Sequence, residues 1–164
     1  MNTILAIQPE SRQIGYAVFE GRALIDWGSK DLTSKPIGER NEIFAAPLFE
    51  RLIHRFEPDV LVVPKPTRTS GSVRNLMLRM VHRAVNTYAF GVVSYSLTDI
   101  VSAFKDRIGD ARPNKDNIRA VIVREFPELG GLQPRPRGRS DPEDFRVPMF
   151  DAIALAITFL TQQE

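Results

Sequence analysis

Between Met149 and Leu160 the chain carries a single charged residue, Asp151, in the stretch M-F-D-A-I-A-L-A-I-T-F-L. A helix that is apolar all the way round has no face to give to water, so other elements must enclose it. Pro148 suits a first helical turn and sets this helix at Met149 to Gln162. A second segment makes the same demand. Val60-Leu61-Val62-Val63 is wholly apolar, mostly β-branched and stopped by Pro64, as in a central strand buried on both faces of a mixed or parallel sheet. A fully buried helix and a strand covered on both faces require a layered α/β domain.

The remaining segments supply the layers. Thr3 to Gln8 and Gly15 to Glu20 read as strands around a turn at Pro9-Glu10-Ser11, and Ala23 to Trp27 follows Gly21 as a third, an antiparallel meander. Glu39 to Phe56 has helical spacing at Ile43, Phe44, Leu48, Leu52, Ile53 and Phe56, with Pro47 expected to kink it. Ser72 is placed to cap a helix reaching Tyr88, with Val73, Leu76, Met77, Met80, Val81 and Ala84 on its apolar stripe. Gly91 to Tyr95 is a further strand. Thr98 or Asp99 then caps a short helix to about Arg107, and another helix spans Lys115 to Phe126. Gly130 to Val147, dense in Gly, Pro and charge, reads as an irregular loop before the last helix. One domain of 1–164 is expected, since 164 residues at 43% apolar and 26% charged suit a single folded unit.

Charge is unevenly placed. The net charge is only +2, yet no Asp or Glu occurs from Val60 through Thr98, while Lys65, Arg68, Arg74, Arg79 and Arg83 all do. Such a one-sign block points toward a polyanionic partner. The absence of cysteine removes disulfides, thiolate zinc sites and thiol nucleophiles. His54 and His82 stand alone on expected helices, without a partner at metal-ligand or triad spacing. Neither phosphate-binding glycine motif, G-x-x-x-x-G-K-[ST] or G-x-G-x-x-G, is present. The apolar run at the N-terminus breaks at Gln8-Pro9, so neither a signal peptide nor a membrane span is expected, and the chain is assigned to the cytoplasm.

Five segments, in order, carry a family resemblance. I-L-A-I-Q-P-E-S-R-Q-I-G-Y-A-V resembles the first hairpin of the RuvC Holliday-junction resolvases, where an Asp-Pro-Gly-Ser-Arg turn precedes a Gly-Tyr pair. P-D-V-L-V-V-P is similar to that family's fourth strand, and S-L-T-D-I-V-S-A-F to the helix start P-T-E-V-K-K-A. I-G-D-A-R-P-N-K-D-N-I resembles G-x-G-R-A-x-K-x-x-V, and P-M-F-D-A-I-A-L-A-I resembles D-A-A-D-A-L-A-I-A. The resemblance implies an RNase H-like fold with a mixed five-stranded sheet, its first three strands antiparallel and helices on both faces.

It also implies a catalytic centre that this chain does not reproduce. Resolvases of the family cut phosphodiesters with Mg²⁺ held between four carboxylates: one on the first strand, one at the end of the fourth and two on the last helix. Carried over by position, these become Gln8, Pro64, Pro148 and Asp151, so Asp151 is the remnant. Mg²⁺ wants oxygen ligands with carboxylate charge, which an amide and two prolines do not supply. The resemblance therefore implies a catalytically inactive homologue that needs no cofactor. An endonuclease with relocated acids is the enzymatic alternative: Glu10, Asp144 and Asp151 would then hold the Mg²⁺, with Asp141 and Glu143 nearby. A turn-tip Glu and a mixed-charge loop are ordinarily just solvated, and Asp144 equally suits a helix cap.

The basic surface remains. In the family, DNA lies along the loop after the fourth strand, the helix that follows and the region before the last helix. The corresponding cations here are Lys65, Arg68, Arg74, Arg79 and Arg83, then Arg112, Lys115 and Arg119, then Arg135, Arg137 and Arg139 of the P-R-P-R-G-R region. Backbone contacts of this kind give sequence-independent affinity. The expectation is binding of structured or branched nucleic acid, DNA by family, as a homodimer. A non-catalytic partner-binding subunit is the remaining alternative.

Overall fold

The computed structural model describes residues 2–10, 12–32, 45–66, 78–79, 81–83, 86–88, 90–135, 144 and 146–164. Strands β1 (Thr3–Pro9), β2 (Gln13–Glu20), β3 (Ala23–Asp31), β4 (Val60–Pro64) and β5 (Gly91–Tyr95) form one sheet in the order β3-β2-β1-β4-β5. β1, β2 and β3 pair antiparallel, and β4 and β5 join parallel. Helices α1 (Ala46–Phe56), α2 (Leu97–Ile108), α3 (Lys115–Glu125) and α4 (Val147–Gln162) complete the described elements, with a 3₁₀ helix at Pro127–Leu132. This is the mixed five-stranded RNase H-like arrangement expected from the sequence. β4 is buried along its whole length as expected, but the middle strand is β1, with β4 between it and β5.

Strand alternation divides the core between the two faces. Ile4 and Ala6 of β1, Ala17 and Phe19 of β2, and Val60 and Val62 of β4 meet Phe104 of α2, Ile118 and Ile122 of α3, and Ile153 of α4. On the opposite face Leu5, Ile7, Ile14, Val18, Leu61 and Val63 pack with Phe49, Leu52 and Ile53 of α1 and with Leu78 and Val81. Each such Val, Leu, Ile or Phe side chain removed from water contributes about 1.5–3 kcal/mol before chain entropy is counted. Helix α4 lies across β2 and β1. Nearly every residue from Pro148 to Thr158 is buried, and the one buried hydroxyl, Thr158 Oγ1, donates to the Ala154 carbonyl at 2.8 Å.

Several local expectations change. Pro47 stands in the first turn of α1, where a missing N–H costs nothing, and so opens the helix rather than kinking it. β3 runs four residues beyond Trp27, to Asp31. Ser96 caps α2 in place of Thr98 or Asp99: its Oγ accepts from the Asp99 N–H at 3.2 Å, while Asp99 Oδ2 accepts from the Ser96 N–H at 2.7 Å. The expected irregular loop from Gly130 begins with the end of the 3₁₀ helix. The Ser72 cap and the helical start at Glu39 lie outside the described residues, whereas 78–79, 81–83 and 86–87 are helical.

Candidate functional site

The sheet and the last helix bring three of the four family positions, Gln8, Pro64 and Asp151, to one cavity. β1 and β4 run parallel with Ala6 opposite Val62, so Gln8 and Pro64, each two residues further on, arrive together at the C-terminal ends of their strands. Both follow the alternation that points Ala6 and Val62 toward α4. Gln8 is also the register partner of Gly15 on β2. An added Cβ at Gly15 would lie 2.0 Å from the Pro148 carbonyl carbon, so the start of α4 passes directly over Gly15, beside Gln8.

One helical turn deeper, Asp151 lines a cavity of about 220 Å³ together with Gln8, Glu10, Pro64, Lys65, Lys115 and Arg119. Tyr95, Leu97, Ile100, Ile118, Phe150 and Ala154 supply its apolar wall. The carboxylate of Asp151 is already engaged: Lys115 Nζ donates to Oδ2 at 3.2 Å. Gln8 Nε2 donates to Glu10 Oε1 at 2.7 Å, so the amide that replaces the first-strand acid is held by the turn-tip glutamate. Lys65 Nζ lies 3.6 Å from Asp99 Oδ2. The Ser96 backbone hydrogen bond, then the Ser96 hydroxyl, with help from Lys65, hold the Asp99 carboxyl below the usual carboxylate range. Burial, followed by the Asp99 charge, pushes the Tyr95 phenol up, so it stays a neutral donor at the cavity wall.

Arg119 is buried at 8% exposure. Its Nη1 donates to Asp116 Oδ1 at 3.2 Å, and its Nε is buried without a hydrogen-bond partner. Lys115 and Arg119 both line the cavity, Arg119 buried and Lys115 with its side chain 53% exposed. Their spacing of four places them on one face of α3 with buried Ile122, a signal present in the sequence. Arg79, Arg83, Arg112 and Arg135 are exposed and make no ion pair with a described residue. Arg68, Arg74, Arg137 and Arg139 lie outside the described residues, as do Asp141 and Glu143.

Of the three relocated acids, Glu10 and Asp151 line the cavity. Asp144 does not line the cavity; its two oxygens are clamped by Arg146, through the backbone N–H and Nε at 2.9 Å each and Nη2 at 2.6 Å. That contact holds its carboxyl below the usual range. Among the described residues no group of three or more His, Cys, Asp or Glu could hold a metal ion. The Mg²⁺ pair of the resolvases does not fit these residues: a lysine ammonium sits on the remaining carboxylate, and the other family positions carry an amide and two prolines. His54, expected to be solitary, shares a 3.0 Å hydrogen bond with the Tyr88 hydroxyl at the far end of the sheet.

No family model matches the chain, and no curated protein matches it in sequence. Solved structures do match. RuvC of Thermus thermophilus, in complex with a Holliday junction substrate, aligns at a TM-score of 0.67 and 19% identity over 99% of this chain and 95% of its own. The fowlpox virus resolvase, in complex with its substrate Holliday junction DNA, aligns at 0.65 and 14% identity over 98% of each chain. The yeast mitochondrial Holliday junction resolvase aligns at 0.58 and 15% identity, over 98% of this chain and 79% of its own. The chain has the RNase H-like fold of RuvC and other Holliday junction resolvases. Among the described residues no helix is long and apolar enough to cross a membrane.

Proposed function

We propose that this chain is a RuvC-like protein that binds structured or branched DNA and does not cut it, acting as a cytoplasmic homodimer of one-domain subunits. The observation that carries the reading is the Lys115–Asp151 pair at 3.2 Å. It stands at the ends of the parallel strands, where cleavage by two metals would need several carboxylates free of cations. Exposed Arg79, Arg83, Arg112 and Arg135 supply backbone contacts, joined by Arg68, Arg74, Arg137 and Arg139 from the sequence. Two of the fold neighbours are complexes with Holliday junctions, which makes a four-way junction the natural probe. The helix expected from Ser72 to Tyr88, apolar on one stripe and basic elsewhere, is the dimer element by analogy.

Titration of a fluorescent four-way junction and a matched duplex across salt tests this. Affinity should fall steeply as salt rises, and Arg79→Glu with Arg83→Glu should reduce the log–log slope by about one unit per lost phosphate contact. Absence of binding even at low salt would overturn the reading and leave a partner-binding subunit, a role in keeping with the acids already paired to Lys65, Lys115 and Arg119.

A further inference from the structure

The opposite end of the sheet holds a second cavity, of about 370 Å³, where the parallel strands begin. Pro58 and Asp59 line it just before β4, Phe90 just before β5, and Ile53, His54, Glu57 and Tyr88 complete the wall. Its rings are fixed against one another. Tyr88 stacks on Phe90 with centroids 6.0 Å apart, and His54 meets Tyr88 edge-on at 5.5 Å, tied by the hydrogen bond already described. α1 ends at Glu57 in the left-handed region, at φ 43° and ψ 60°, and Pro58 leads straight on to Asp59, so two carboxylates share one wall. Both residues are exposed, and neither makes an ion pair with a described residue. Asp59 Oδ2 accepts from the Thr3 N–H at 2.7 Å, which leaves Oδ1 without a described partner. Arg55, beside His54 in sequence, is engaged elsewhere, with Asp26 and the Phe56 ring.

We propose that this cavity receives an arginine side chain from a basic segment of a partner protein. Two carboxylates and no lysine or arginine line it, so it repels phosphate and attracts cations. Aromatic faces attract a cation further, and they favour a guanidinium, which can lie flat on a ring while its edge pairs with a carboxylate. An ammonium, compact and strongly hydrated, uses only the charge. The volume falls within the roughly 300–1,000 Å³ of sites that enclose a small molecule, enough for one guanidinium and its stem. β4 separates this cavity from the one at Asp151, its first residue following Asp59 and its last, Pro64, lining the other. A partner seated here therefore leaves the Asp151 end of the sheet uncovered, and its docking does not depend on DNA being bound.

Backbone-amide NMR titration of the full chain tests it, with the peptide acetyl-Gly-Arg-Gly-Arg-Gly-amide and its lysine and glutamate counterparts as probes. Saturable shifts at His54, Glu57, Asp59 and Phe90 are expected with the arginine peptide, with Leu97 and Asp151 unmoved and the glutamate peptide silent. The lysine peptide should bind about threefold more weakly or worse, having no planar group to lay on the rings. Glu57→Gln should weaken the arginine peptide about threefold, and Glu57→Gln with Asp59→Asn about tenfold, the loss expected for one and two exposed ion pairs. Both positions are exposed and asparagine keeps an acceptor for the Thr3 N–H, so these variants should fold. No saturable response, equal binding of the lysine peptide, or undiminished affinity in the double variant would overturn the site. So would the same shifts on raising protein concentration alone, which would assign the cavity to a second copy of the chain, or on adding a four-way junction. A junction that fails to bind at all, with the arginine response intact, sinks the DNA-binding reading and leaves this site standing.

Discussion

Gly15 and Pro148 touch backbone to backbone: a Cβ built on Gly15 would sit 2.0 Å from the Pro148 carbonyl carbon and 2.1 Å from its oxygen. Neither side can yield as a flexible side chain could, because both partners are main chain. Overfilling a packed interior costs about 1–3 kcal/mol, and Gly15→Ala should reach the upper end of that range. Denaturant unfolding should show the loss; a variant as stable as wild type would mean that α4 does not pack against β2 as described.

Asp144 links stability to acid. Its folded carboxyl lies below the usual range because Arg146 hydrogen-bonds it, so the pair stabilises the protein above about pH 4, the unfolded value, and that stability is lost as pH falls through the folded value. Asp144→Asn should lower stability at neutral pH by about 1 kcal/mol or less and flatten the acid limb of the stability profile. Thermal melts from neutral pH down into the acid limb would check this, and an unchanged acid limb would contradict it.

The Tyr88–His54 hydrogen bond of 3.0 Å ties α1 to the approach to β5. Tyr88→Phe keeps the stacking on Phe90 and the edge contact with His54 and removes only the hydroxyl. The expected cost is about 1 kcal/mol or less for this exposed bond, read from the denaturation midpoint. A loss of several kcal/mol would show that the aromatic cluster itself had come apart.

The fold was legible because its strongest signals are apolar patterns set by burial. The β-branched run at Val60–Val63 proved fully buried, and the apolar helix proved buried from Pro148 to Thr158 except at Asp151. The convergence of Gln8, Pro64 and Asp151 was legible only through the family resemblance, since strand pairing over more than fifty residues leaves no local trace. The Lys115–Asp151 pair was not read, because 36 residues separate its members. Arg119 was placed among the DNA-facing cations by family analogy, although its spacing from Lys115 and Ile122 puts it on the face of α3 that holds buried Ile122. Local capping was misread by two or three residues because Ser96, Thr98 and Asp99 are all competent cap types, and only geometry distinguishes them.

The central claim, binding without metal-dependent cleavage, is tested most directly by incubating the protein with a labelled four-way junction in Mg²⁺ or Mn²⁺ and resolving the strands on a denaturing gel, with Asp151→Ala alongside. The account predicts junction retained in complex and every strand intact, for wild type and variant alike. Strand cleavage by wild type that disappears in Asp151→Ala would contradict it and restore a nuclease built on that carboxylate.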